Sequence, residues 1–526
     1  MSMMESFSTD IIVIGSGIAG LNFALRASEY AKVAIITKDT LETSNTMLAQ
    51  GGLAAVFSRE DSFEEHIKDT LRVGEGLSDK RVVEFVVKNA PEEIINLQKA
   101  GVKFDKSNNV FILSREAAHS MPRIVHQSDA TGRYIEEALC RNVRKKENIT
   151  IFENFLAYEL IHRNNVCYGV YTLNLKENKV EVFFARAIII ATGGIGQLYK
   201  VTTNPSIATA DGIAMAFSAG AELCDMEFVQ FHPTMFIKNS FLISETVRGE
   251  GGILKNIEGE RFMTKYSNLA ELSSRNVVAR ACFSEMDKTN SGFVNLDISH
   301  KLPEFIKKRF PNIYKTCMES GVDITREPVP VTPTAHYLCG GVLTNIRAET
   351  NISGLYAIGE CACTMLHGAE RLASNSLTEA LVFSSQAAHA IRVFINSNAS
   401  FMNSYYSDGY KKEFRINLLQ DSSLIHNMKS KLQGIMWQYA GIIRIIEGLN
   451  KGLVEILEMS KNIEQVIREK GINKDSLELR SMCIVSEQIM LSALERKESR
   501  GSHFLKDFSE RNDSNYIRHF IRRKLC

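Results

Sequence analysis

The first clear pattern in the chain is an apolar run, Ile11 to Ile14, that stops at Gly15-x-Gly17-x-x-Gly20 and passes into an amphipathic stretch, "LNFALRASEYA". A second apolar run, "KVAIIT", begins at Lys32. β-formers closed by glycines, then helical spacing, then β-formers again predict a strand–helix–strand unit. Two later runs end the same way. "ARAIIIATGG", from Ala185, turns at Gly193-Gly194, and "GLYAIGE", from Gly354, turns at Gly359-Glu360. Between the second and third of these strands, polar residues stand singly among apolar or small ones, as in "EFVQFHPTMF", "ISETVRGEGG", "LSSRNVVARA" and "TPTAHYLCGGV". From about position 410 charged and apolar residues alternate at helical spacing and no proline follows Pro333, which predicts a helical bundle. The basic end, "IRHFIRRKLC", predicts a solvated helix end.

A length of 526 residues exceeds what one core holds, at about 100–200 residues per domain. The glycine-ended strands lie on both sides of the polar-in-apolar segments. The predicted organisation is therefore a discontinuous domain, 1–225 with 338–400, a capping domain at 226–337, and a helical domain at 410–526. Sixty-two basic against sixty-one acidic residues leave a net charge of +1, so no global field recruits nucleic acid or a membrane surface. The apolar runs are shorter than the roughly 18–20 residues that span a bilayer. The opening "MSMMESFSTD" lacks the basic and apolar regions of a signal peptide, so a cytoplasmic protein is expected. The ten cysteines form no repeated CxxC pattern, which fits reduced thiols and no metal site.

The glycine spacing carries the first chemistry. Gly15 makes the tight turn, Gly17 admits a pyrophosphate, and Gly20 lets helix and strand pack, while Ser16, Ile18 and Ala19 place the helix N-terminus against the phosphates. The second strand ends in Thr37-Lys38 rather than at an acidic residue, so the fingerprint for NAD is incomplete and Lys38 is free to face a phosphate or ribose. Glycine-ended strands spread from Gly15 to Gly359 imply a sheet assembled around a long ligand, and FAD fits better than NAD. Ala191, Gly193 and Gly194 form the second turn, and Glu360 is placed to accept from a ribitol or ribose hydroxyl.

With the stretch "SNTMLAQGGLAA", from Ser44, these motifs resemble the flavoprotein family of succinate dehydrogenase, fumarate reductase and L-aspartate oxidase, over roughly residues 8 to 445. The resemblance implies an α/β fold: a Rossmann-like FAD-binding domain, an inserted α+β cap and a C-terminal helical bundle. It sets Asn45, Thr46, Met47, Leu48, Ala49, Gln50, Gly51 and Gly52 against the flavin, and adds Asp211, Ser376 and Leu377 to the cofactor set. Membrane-complex members carry a histidine at the position of Asn45 that attaches FAD covalently. An amide is no nucleophile, so noncovalent FAD is implied. The resemblance also assigns His232, Ser244, His336 and Arg371 to the carboxylates of a dicarboxylate substrate and Arg275 to proton transfer, with Glu245 and Arg248 close enough in sequence to supply charge beside it.

Glu116, in "LSREAAHSMPRIVH", separates the branches. Dicarboxylate reductases place an uncharged residue there, whereas L-aspartate oxidases place a glutamate that meets the substrate's ammonium. The implied activity is therefore FAD-dependent oxidation of L-aspartate to iminoaspartate. The implied acceptors are dioxygen, giving hydrogen peroxide, or fumarate, giving succinate, and quinolinate synthase in NAD biosynthesis is the implied consumer. The alternative is a soluble fumarate reductase or succinate oxidase, and a further one is a subunit docking to an iron–sulfur partner. The family usually follows this glutamate with two glycines, and here Ala117-Ala118 stand in their place.

Overall fold

The structure is a computed structural model that describes residues 6–397 and 423–524. Positions 398–400 of the expected cofactor domain and 410–422 of the expected helical domain lie outside the described residues. Strand Ser6–Ile14 runs in the middle of a seven-stranded sheet, parallel to Val33–Thr37 on one side and to Lys179–Ile190 on the other. Ile149–Glu153 extends the sheet beyond Val33–Thr37. Lys179–Ile190 does two jobs along its length. Its first half pairs antiparallel with Val166–Asn174, and its last residues run parallel to Leu355–Ala357.

The central strands are apolar without alternation because both faces are covered. Ile11, Val13 and Ile35 pack with Leu21 and Phe23 of helix Ile18–Ala27 and with Phe383 of helix Asn375–Ser397. Ile12, Ile14 and Ile36 face the other way, toward helix Asp211–Ser218 and the C-terminal helices. The chain then leaves this layer to build a second, five-stranded sheet in the order Phe241–Leu242, Val229–Phe236, Val329–Leu338, Val294–Asp297, Ile253–Lys255. That sheet has its own apolar core against helix Arg275–Lys288, including Phe236, Val278 and Leu296. Gly340 and Gly341 carry the chain back. A β-carbon on Gly340 would lie 2.2 Å from the Asp225 carbonyl, and one on Gly341 2.5 Å from that of Cys361.

Helices Ser423–Tyr439, Ile446–Lys470 and Lys474–Glu495 pack together, as the helical spacing predicts. The last segment departs from expectation. Ile521–Arg522 is not a helix end but a strand paired antiparallel with Leu223–Cys224. Asp225 explains the change: it accepts from the Phe520 N–H at 3.0 Å and from His519 Nδ1 at 2.6 Å, fixing the tail extended along a sheet edge. The nine described cysteines are buried and free. No helix among the described residues is long and apolar enough to cross a membrane.

Candidate active site

A cavity of about 440 Å³ runs from the glycine turn at the ends of the parallel strands to the underside of the cap. Of the cofactor and substrate residues expected from sequence, all but Gly20 and Gly194 line it. Those two sit one layer behind. A β-carbon on Gly20 would meet the Gly15 carbonyl at 2.2 Å, and one on Gly194 would meet Glu360 Oε1 at 2.0 Å. Gly20 lets the helix close on the strand, and Gly194 makes room for the carboxylate.

At the cofactor end helix Ile18–Ala27 starts at Gly17 with no side-chain cap, beside a loop held by the hydrogen bond from Ile18 N to Thr46 Oγ1 at 3.0 Å. Glu360 Oε1 accepts from Leu338 N at 3.2 Å and Oε2 from Asn45 Nδ2 at 3.4 Å, and burial pushes its carboxyl up to about 7. Lys38 follows strand Val33–Thr37. It lines the cavity, but its ammonium is held by Thr209 Oγ1 at 2.5 Å, Asp211 Oδ2 at 2.6 Å and Glu478 Oε1 at 2.9 Å. A nearly buried ammonium requires pairing, and two carboxylates leave it a poor partner for a phosphate. Asp211 Oδ2 belongs to the same network, while its Oδ1 has no protein donor and Asp211 lines the cavity.

At the other end the cap supplies the histidines and most of the charge. His232 and His336 lie on neighbouring antiparallel strands with ring centroids 5.1 Å apart. Burial, then the charge of Arg275, depresses both well below the usual histidine range, so both are neutral donors or acceptors near pH 7. Arg275 opens its helix. Its Nε reaches Glu245, its Nη1 donates to Gln230 Oε1 at 3.0 Å, and Glu245 in turn pairs with Arg248 at 3.1 Å. Across the cleft Arg371 stacks over the Tyr337 ring at 4.4 Å and donates to Ser376 Oγ at 3.1 Å. Ser244 also caps a short helix, accepting from Thr246 N at 3.3 Å.

Glu116 lies among these groups, 3% exposed, with Oε2 accepting from Ser374 Oγ at 2.7 Å and Oε1 from Thr246 Oγ1 at 3.4 Å. Burial, then Glu245, raises its pKa. Ala117 and Ala118, not glycines, follow it. Ala118 adopts φ +63°, the left-handed conformation that a glycine takes without strain, and Ser374 does likewise at +61°. Three buried arginines therefore face two glutamates. Arg371 Nε and His336 Nδ1, on residues that line the cavity, have no hydrogen-bond partner within the protein. Buried cations in excess, with donors to spare, call for an anion.

Sequence reasoning missed Gln230, Thr246, Tyr337 and Ser374. Gln230 precedes His232 by two residues on one strand, and Tyr337 adjoins His336, so local spacing pointed to both. Thr246 adjoins Glu245 and Ser374 lies two residues before Ser376, so the same spacing pointed to them, although their contact with Glu116 is distant in sequence.

A family described as FAD binding domain matches residues 10–377, and one described as fumarate reductase flavoprotein C-term matches residues 429–524. The chain is 42% identical to the chloroplastic L-aspartate oxidase of Oryza sativa subsp. japonica over 95% of this chain and 81% of that protein. It is 40% identical to the L-aspartate oxidase of Acinetobacter baylyi, over 95% and 94%. The chain belongs to the L-aspartate oxidase family. Among solved structures, a quinol-fumarate reductase with menaquinol molecules is similar at TM-score 0.87 and 32% identity, covering 98% of this chain and 96% of that one. The Mycobacterium smegmatis Sdh1 complex in the apo form is similar at 0.79 and 30%, covering 96% and 90%. The wider kinship with succinate dehydrogenase and fumarate reductase flavoproteins is thus also in the fold.

The residues present fit FAD. Gly15 could carry no side chain, since a β-carbon would lie 2.2 Å from the Ala191 carbonyl, and a β-carbon on Gly17 would close on Thr46 Oγ1 at 3.2 Å. In the loop from Ser44 to Gly52 the buried amide oxygens of Asn45 and Gln50 have no protein donor. Narrow glycine contacts and free acceptors along one wall match a long ligand rich in hydroxyl and N–H groups.

Proposed function

We propose that this protein oxidises L-aspartate to iminoaspartate with noncovalently held FAD. The observation that carries the reading is Glu116: one carboxylate set within a pocket of arginines and neutral histidines, where a dicarboxylate bearing an ammonium is complementary at every point. When bound, FAD supplies the acceptor for the hydride and its two electrons. His232, Ser244, His336 and Arg371 together hold the two substrate carboxylates, fixing the carbon skeleton, so much of the acceleration comes from orientation. Glu116 takes the ammonium. Arg275, backed by Glu245 and Arg248, holds the proton that is returned to carbon when fumarate is the acceptor.

Oxidation removes one hydride and one proton from L-aspartate. Dioxygen then yields hydrogen peroxide, or fumarate yields succinate. Asn45 supports noncovalent binding, since its amide cannot attack the cofactor. Iminoaspartate is unstable in water, so a consuming enzyme such as quinolinate synthase is the expected functional partner. The nine described cysteines, all buried and free, suit the reducing cytoplasm, where we place the reaction.

The test is anaerobic bleaching of the FAD-loaded protein. L-aspartate should bleach the visible absorbance and succinate should not. Bleaching by succinate alone would move the protein to the dicarboxylate oxidoreductases.

A further inference from the structure

Two helices of the cap begin without a side-chain cap from their own preceding residue. Helix Arg275–Lys288 receives none from Ser274, and helix Pro311–Glu319 none from Phe310. The first N–H groups of a helix have no partner inside it and mark its positive end, so each start needs an acceptor. Both acceptors come from across the cleft. The Asn276 N–H donates to Glu370 Oε1 at 2.8 Å. The Asn312 and Ile313 N–H groups both donate to Asp129 Oδ2 at 2.9 Å, and Asn312 Nδ2 donates to Oδ1 at 2.6 Å. Asp129 and Glu370 are 3% and 1% exposed.

These caps exist only while the cap domain is seated on the cofactor layer. Glu370 is the covalent neighbour of Arg371, and its hydrogen-bond partner Asn276 is the covalent neighbour of Arg275. It also accepts from Gln230 Nε2 at 3.4 Å, the residue that holds Arg275 Nη1. The C-terminal segment ties the same two pieces. Asn276 Nδ2 donates to the Gly501 carbonyl at 2.6 Å, and Ser502 donates to the Ala369 carbonyl through its N–H at 3.1 Å and its hydroxyl at 2.9 Å.

We propose that Asp129 and Glu370 are positioning residues that seat the cap over the substrate, with Glu370 setting the spacing between Arg275 and Arg371. The proposal rests on the reading of the cavity as a dicarboxylate site. Seating is lost first in the free enzyme, and saturating substrate restores it. Weakened seating therefore lowers the fraction of closed enzyme and raises KM while leaving kcat nearly unchanged.

The test uses the full-length FAD-loaded enzyme and three readouts: steady-state turnover of L-aspartate, anaerobic flavin reduction, and hydrogen exchange of the amides at 276–277 and 312–313. Glu370→Ala should raise KM by about 10- to 100-fold, the range of a hydrogen bond to a charged group, and speed exchange at 276. Glu370→Gln keeps an acceptor oxygen and should recover most of both. Asp129→Ala, at the far side of the cap, should show the same KM-against-kcat split with faster exchange at 312–313. An unchanged KM, a fall in kcat alone, or exchange that stays slow in both alanine variants would overturn the proposal. If the wild type is reduced by succinate and not by L-aspartate, the proposed substrate is wrong, and the same split measured with succinate then decides on the seating.

Discussion

Replacing Glu116 by Gln changes one charge and almost no volume at a site 3% exposed to solvent. An ammonium about 4 Å from a carboxylate, at an effective dielectric near 20, gains about 4 kcal/mol of Coulomb energy. Part of that is offset because the carboxylate is itself desolvated and repelled by Glu245, as its raised pKa records. A net contribution of about 1.5–3 kcal/mol, typical of a hydrogen bond to a charged group, corresponds to a loss of about 10- to 150-fold in kcat/KM for L-aspartate. The hydrogen bond from Ser374 at 2.7 Å can still be made to the amide oxygen, so the pocket keeps its shape. Succinate has no ammonium and meets only repulsion from Glu116, so its binding should tighten in the same variant. The assay is stopped-flow flavin reduction with L-aspartate, alongside displacement of bound dicarboxylate by succinate. Equal losses for both ligands would show a packing effect and refute the charge argument. No loss for L-aspartate would remove Glu116 from the ammonium site.

Arg371→Lys keeps the charge but loses the planar fork and the stacking on Tyr337, and should lower kcat/KM by about 10- to 100-fold, mostly through KM, in steady-state oxidase assays. Ala118→Gly relieves a left-handed conformation and should raise stability by about 0.5–1 kcal/mol, read as a higher midpoint in thermal or urea unfolding. Burial holds His66 down to about 3 and His119 to about 4, so both stay neutral in the folded protein while an unfolded chain protonates them below about 6.5. Their contribution is complete above pH 6.5 and is lost as pH falls toward those values, at about 1.4 kcal/mol per pH unit for each histidine. His66→Gln should therefore flatten the fall of Tm between pH 6.5 and 4.5, and an unchanged slope would remove His66 from the acid response.

The cofactor end was legible because its constraints are local. Gly15, Gly17 and Gly20 belong to one turn, and the strands around them announce themselves as apolar runs. The substrate end was legible only through resemblance, since His232, Arg275, His336 and Arg371 meet from four separate segments and no periodicity joins them. The surroundings of Lys38 were hidden for the same reason. Nothing near it in sequence indicates that Asp211 and Glu478 will arrive to neutralise it. The tail was misread because a basic run at helical spacing carries no sign of Asp225, whose carboxylate holds it in a strand. Asp129 and Glu370 likewise act on backbone N–H groups, which every residue carries and no pattern reveals.

The contact between Gly501 and Asn276 has a bearing on how the molecule is made. Helix Asn375–Ser397 completes the cofactor layer, whereas the segment that braces Arg275's helix against the Arg371 loop follows about 100 residues later in the chain. At about 5–20 residues per second, that interval is roughly 5 to 20 seconds. During that time the nascent chain can hold a formed nucleotide fold with an unbraced cleft. The cleft therefore gains its brace only after the cofactor layer is complete, and a chain truncated before Gly501 that binds the cofactor need not be able to turn over.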